Sequence, residues 1–268
     1  MLQRNSRTET AGRFDWLSTT LLLGGVLLLY YLLPLSSLLV GRSPGAVVGR
    51  LSDPAVVSAA GTSLGASLVS TAIATAFGVP LAYWLARANG RVKTAVTALV
   101  VLPLVLPPVV SGMLLLTVVG PDTAIGRVAA ANGLPLTRSI AGVVLAQTFV
   151  ASPFVVVTAK AAFESVDRSL EQAARSLGKD RLAAARQVTL PLAWPGIVAG
   201  ITLAFARSMG EFGATVMLAY YPRTMPVQIW VSFTTLGLDH AFPLAVILVA
   251  LAVGTLAVLH ALGANPLE

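Results

Sequence analysis

The sequence predicts an all-α integral membrane protein with six transmembrane helices. Three observations predict it. Hydrophobic residues make up 56% of the chain and charged residues 11%. The apolar residues gather into six runs of membrane-spanning length, and lysine and arginine concentrate on alternate connections between them. A soluble domain carries about 25% charged residues, because water must solvate its surface, so lipid is the expected solvent here. The net charge of +7 does not point to nucleic acid, since the basic residues sit between apolar runs without interleaved aromatics. With no cysteine, disulfides, thiolate metal sites and cysteine catalysis are excluded.

A membrane helix needs about 20 mostly apolar residues. The chain opens on a polar segment, residues 1–15, expected on the cytoplasmic side, and residues 16–268 then form the membrane domain. The first span is read at 16–39, too long for the apolar region of a signal peptide. The second, 56–85, follows Asp53-Pro54, an N-cap residue with proline in the first turn. It is long for one span, so part of it is expected outside the hydrocarbon. The third is 95–119, and segment 120–138 after it is expected to carry a short helix, with Arg127 and Arg138 read as solvated charge in preference to a role in docking a partner or attracting an anion. The fourth, fifth and sixth are 140–162, 195–219 and 241–262. Small residues at Gly61, Gly65, Gly196 and Gly200 permit close helix approach. With the N-terminus inside, inner segments hold 12 lysines and arginines and outer ones 5 (Arg42, Arg50, Arg127, Arg138, Arg223). Both termini are therefore expected in the cytoplasm.

The most informative segment is the polar connection 164–192. Ser169 with Gln172 three residues on reads as a capping box. A helix is expected over 170–177, with Gly178 as its left-handed C′ residue. Asp180 caps a second helix to Val188, and Pro191 and Pro195 mark entry into the next span. A solvated connection would explain the charges. It would not explain Ala173 and Ala174 beside Glu171, small residues that on an exposed helix imply close packing by something else.

The run Glu171-Gln172-Ala173-Ala174-Arg175-Ser176-Leu177-Gly178, followed by Leu190-Pro191, resembles the EAA loop of ABC-importer permeases of the MetI-like type I family. Gln172 stands where the family has an alanine. The resemblance implies the MetI-like permease fold and a coupling helix seated in a cleft of a cytoplasmic ATPase. It also implies a homodimer of this chain, two ATPase copies carrying ATP and Mg, and an extracytoplasmic oxyanion-binding protein. No cofactor is expected on this chain, and no phosphate-cradling GxxxxGK[ST] run is present.

Two further stretches look like the membrane subunit of molybdate importers, a branch near the sulfate and tungstate permeases. One, 102–112, contains Pro103, Pro107, Pro108 and Gly112. The other, 204–215, contains Arg207, Gly210, Glu211, Gly213 and Thr215. The second is shared with sulfate permeases, whereas the first favours molybdate. Prolines inside a span remove backbone hydrogen bonds and bend it, which suits a helix that lines or gates a path. A packing kink accounts for any one of them equally. Arg207 and Glu211, one turn apart within a span, are costly there and mark function by default. A structural pair facing protein is favoured over direct contact with the anion. Gly210 and Gly213 permit close approach across a subunit interface.

Two other classes compete. An ion-coupled secondary transporter needs mid-membrane carboxylates, and only Glu211 qualifies. A membrane-embedded zinc protease needs an HExxH arrangement, which His240 and His260 do not form.

Overall fold

The structure, a computed structural model, describes residues 8–40 and 44–263. Arg4 and Arg7, two of the 12 inner basic residues counted above, and the outer Arg42 lie outside the described residues, as does the side chain of His260. Among the described residues there are thirteen α-helices and no strand. The chain divides into two compact units, residues 1–49 and 50–268. The first holds α1 (Thr8–Val40), a 33-residue helix whose stretch Ser18–Ser37 is apolar enough to cross a membrane. It begins upstream of the expected span, since no proline stops it between Thr8 and Trp16. A short helix, α2 (Pro44–Arg50), follows and ends where the second unit begins.

The second unit is built on three long helices. In α3 (Pro54–Arg87), the Asp53 carboxylate accepts the Ala55 N–H at 2.9 Å, and Pro54 stands in the first turn as expected. At about 1.5 Å per residue, its 34 residues outrun a hydrocarbon core of about 30 Å. In α7 (Ile140–Ser165), Ser139 caps the start by accepting the Gly142 N–H. The third is α10 (Leu190–Met209). Helices α3 and α7 run parallel, because Ala66 packs on Val143 near their starts and Leu85 on Phe163 near their ends. Helix α10 runs antiparallel to α7. A Cβ on Gly196 would come 2.5 Å from the Cβ of Ala162, and one on Gly200 3.1 Å from Thr158. Gly61 and Gly65, by contrast, meet nothing within 4 Å in this chain. Ser70 Oγ of α3 lies within hydrogen-bonding distance of Gln147 Oε1 of α7 and Ser208 Oγ of α10, and Gln147 Nε2 donates to Ser208 O at 3.1 Å. This buried polar knot ties the three helices together where an apolar contact would carry no orientation.

The expected third span is broken. Its halves are α4 (Arg91–Val105) and α5 (Pro108–Val119), bent by 118° at Leu106-Pro107. Pro107 and Pro108 cannot donate to the ladder, so the helix stops and restarts with Pro108 as its first residue. Pro103 stays inside α4. Since α3 and α7 run the same way, the chain between them must return across the bundle. Taken as one crossing, the bent pair brings the candidate spans to six: α1, α3, α4 with α5, α7, α10 and α13 (Leu238–Gly263). Segment 120–138 carries the expected short helix, α6 (Ala124–Ala131), capped by Thr123.

The expected fifth span 195–219 is also revised. Helix α10 ends at Met209, and a six-residue helix, α11 (Gly213–Leu218), follows a break at 210–212. A further helix, α12 (Met225–Leu236), was not anticipated from the sequence. Its residues lack the length of a span, and its apolar positions are shared between core and surface.

Candidate functional site

Segment 164–192 folds as a helix, a glycine turn and a second helix. The first is α8 (Arg168–Ser176), which begins two residues earlier than the proposed capping box required. Asp167 is its N-cap and accepts the Ser169 N–H at 2.8 Å, so Ser169 is donor rather than cap. A carboxylate there also meets the positive end of the helix dipole. At the other end Gly178 has φ +86°, Lys179 N donates to Ala174 O at 3.2 Å, and Gly178 N donates to Arg175 O at 3.0 Å. That is the paired closure of a Schellman motif, and it requires the left-handed residue supplied by glycine.

Asp180 accepts the Ala183 N–H at 2.6 Å and starts α9 (Arg181–Ala184). The second helix does not stop at Val188. A π-helical turn, Ala185–Thr189, carries it unbroken into α10. Pro191 has no N–H for the carbonyl four residues earlier, and the wider turn, closed from Leu190 N to Ala185 O, lets the ladder resume.

The π turn sets Thr189 facing α8. Glu171 Oε1 accepts from Thr189 Oγ1 and from Arg87 Nε and Nη2 at 3.0 and 2.7 Å, while Arg87 Nη1 donates to Phe163 O. The Arg87 side chain is 7% exposed. Glu171 thus latches α8 to α3, to the end of α7 and to the root of α10. Burial by itself would raise its carboxyl, but the hydrogen bonds from Arg87 and Thr189, with the charges of Arg87 and Arg168, hold it below the usual glutamate range. Arg87 and Thr189 escaped the sequence reading, being 84 and 18 residues away from Glu171.

The rest of α8 faces outward. Leu170, Ala173 and Leu177 are exposed and share one side of the helix, Leu177 at 85%. Ala174 is half-buried, Gly178 and Pro191 are exposed, and Leu190 packs into the core beside Ile197. Leu190 is an anchor, whereas Leu170 and Leu177 are the exposed apolar residues that the motif alone did not single out.

The structure brings the two proline- and glycine-bearing stretches into contact with each other. A Cβ on Gly213 would fall 2.8 Å from Pro108 Cβ, and one on Gly112 would fall 2.8 Å from both Ala214 O and Met217 Cβ. Helices α5 and α11 meet backbone to backbone there. The close approach of Gly213 is therefore within the chain, and Gly210 has nothing nearer than Ala206 O at 3.8 Å.

Arg207 and Glu211 do pair. Arg207 Nη2 lies 2.5 Å from Glu211 Oε2, in ionic contact though not aligned as a hydrogen bond. They do so across the end of α10 rather than along one continuous helix. Glu211 is 1% exposed, and its Oε1 accepts the Ala214 N–H at 2.7 Å. Ser111 and Thr215 hydroxyls are buried beside this seam without a hydrogen-bond partner among the described residues. No group of three or more metal-ligating side chains occurs among the described residues.

Residues 78–263 match the family described as binding-protein-dependent transport system inner membrane component. The chain is 60% identical over 253 residues to the probable molybdenum ABC transporter permease protein of Haloferax volcanii, covering 94% of this chain and 93% of that one. It is 40% identical over 122 residues to the molybdate/tungstate transport system permease protein of Thermococcus kodakarensis, a match spanning 46% of this chain and 49% of the other. Among solved structures, a chain of a bacterial alginate ABC transporter superposes with a TM-score of 0.72 over 96% of both chains, at 17% identity, a likeness of fold alone. By sequence over most of its length, the chain belongs to the binding-protein-dependent inner membrane components, the permease subunits of ABC transporters.

Proposed function

We propose that the chain is the permease subunit of an ATP-driven molybdate importer. The observation that carries the choice of anion is the 60% identity, over nearly the whole chain, to a probable molybdenum permease. Molybdate is a dianion, and an uncompensated charge in hydrocarbon is prohibitive, so it needs a protein-lined path. The stretches 102–112 and 204–215 supply that path or its gate, with Pro103, Pro107, Pro108, Arg207, Gly210, Glu211, Gly213 and Thr215 in it. Their contact at the α5–α11 seam supports this reading, since two helix breaks meeting at one place can move together.

In this reading two copies of the chain assemble with two ATPase subunits, which carry ATP and Mg, and an extracytoplasmic protein delivers the anion. Both termini face the cytoplasm, supported by the excess of basic residues on that side. The ATPase docks on α8 through Leu170, Ala173 and Leu177, while Glu171, Ala174, Gly178, Leu190 and Pro191 hold the loop in shape. Movement of α8 passes through Glu171 to Arg87 on α3 and Thr189 at the root of α10. The far end of α10 is the break that carries Glu211.

The test is uptake of labelled molybdate in cells lacking their own importer, with this chain, its ATPase and its binding protein restored. Uptake that needs all three and resists excess sulfate is expected, with tungstate as the competing arm. Uptake of sulfate in place of molybdate would keep the permease and overturn the anion.

A further inference from the structure

We infer that the open cavity between the end of α3, α8 and α9 binds a tetrahedral oxyanion, either free or as the phosphate of a lipid headgroup. The cavity holds about 270 Å³ and is lined by Arg87, Arg168, Arg175 and Arg181, with Glu171 and Gln172. Four guanidinium groups and one carboxylate thus line it, and that carboxylate already accepts from Arg87 and Thr189.

The other acidic residues of the loop are engaged elsewhere. Asp167 and Asp180 cap helices, and Glu164 pairs with Lys93 and Lys160. Neither Arg175 nor Arg181 stands in an ion pair among the described residues. Positive charge is therefore left uncompensated at one place rather than spread over a solvated face.

Two of the four cations are already fixed. Arg87 donates to Phe163 O and Arg168 to Ala86 O, at 3.0 and 3.1 Å. Ordering them costs an incoming anion little. Arg175 and Arg181 are exposed and free to close on it. A planar guanidinium presents two N–H groups in the spacing of tetrahedral oxyanion edges, which a lysine cannot do. An adjoining open groove of about 580 Å³, lined by Arg175, Lys179 and Arg181 with Gln172, Ser176 and the helix-capping Asp180, gives access from solvent. The cavity lies at the Arg87 end of α3, a helix of membrane-spanning length, so the proposed ligand includes a lipid phosphate as well as a free anion. An anion held there ties α8 to α9 across the Gly178 turn and stiffens the loop. The site is separate from the α5–α11 seam and does not rest on which anion is transported.

The test uses the full chain and the substitution Arg175→Gln with Arg181→Gln. Both side chains are exposed, and helicity with unfolding temperature checks that the fold persists. Arg186→Gln, an exposed cation of the same loop outside the cavity, is the control. Calorimetry in detergent with sodium molybdate and with sodium phosphate reads the free anion. Native mass spectrometry from nanodiscs with and without phosphatidylglycerol reads the lipid. Binding weakened by about tenfold or more in the double variant, and by less than about twofold in the control, is expected from losing two charge-assisted pairs. Phosphatidylglycerol retained by the wild type and lost by the double variant, without heat from either salt, assigns the lipid source. A second variant, Arg175→Lys with Arg181→Lys, keeps the charge and removes the forks, and is expected to bind more weakly than wild type. No binding of any probe, or equal binding by wild type and the glutamine variant, overturns the site.

Discussion

Glu171 shows how one carboxylate can organise a loop. Its folded pKa lies below the ordinary value of 4.5. The latch is therefore present above that value and is lost as pH falls through the lowered one. A spin label on Leu177→Cys should gain mobility over that acid range, and adding Glu171→Gln should leave mobility flat with pH. A pH response that survives Glu171→Gln would rule the latch out as its cause. Arg207 and Glu211 obey the same physics in a drier place. Removing Arg207 leaves a carboxylate that is 1% exposed with the Ala214 N–H but no counter-charge, a change worth about 3 kcal/mol. Arg207→Ala should lower the unfolding temperature in detergent more than Arg207→Ala combined with Glu211→Gln does. Additive losses would show that the two side chains do not sense each other.

The seam between α5 and α11 depends on glycine because two backbones meet there. Gly213→Ala would place a methyl 2.8 Å from Pro108 Cβ and 3.0 Å from Val109 N. Neither atom belongs to a flexible side chain, so the helices must part, at a cost of about 1–3 kcal/mol. Gly210→Ala meets only Ala206 O at 3.8 Å and has no positive φ to strain. Molybdate uptake should fall sharply for Gly213→Ala and stay near wild type for Gly210→Ala. Equal effects would mean that the seam does not set the activity.

The path of the whole chain across the membrane follows from the parallel run of α3 and α7. If α4 and α5 together make one crossing, Asn89 and Leu177 lie on one side and Asn132 on the other. The chain has no cysteine, so single cysteines at these exposed positions can be labelled without background. A membrane-impermeant maleimide should reach Asn132→Cys from outside intact cells, and Asn89→Cys and Leu177→Cys only after permeabilisation. Labelling of Asn89→Cys and Asn132→Cys from the same side would make α4–α5 a re-entrant hairpin and remove one span.

Four spans, two of the caps and the glycine turn of the loop were legible in the sequence because each rests on residues close together in the chain. The Ser169 cap and the unbroken third and fifth spans were not borne out. Apolar length marks a span, Asp53 and Asp180 cap their own helices, and Gly178 closes α8 on the carbonyls just before it. The pairing of Arg207 with Glu211 was legible for the same reason of spacing. The 118° bend was not, since proline shows where a ladder breaks but not the angle that packing then selects. Nor was the attachment of Glu171 to Arg87 across 84 residues, or the meeting of Gly112 and Gly213 with their opposing backbones. Contacts of that range are decided when helices choose their neighbours, and a single chain read in order carries no record of that choice.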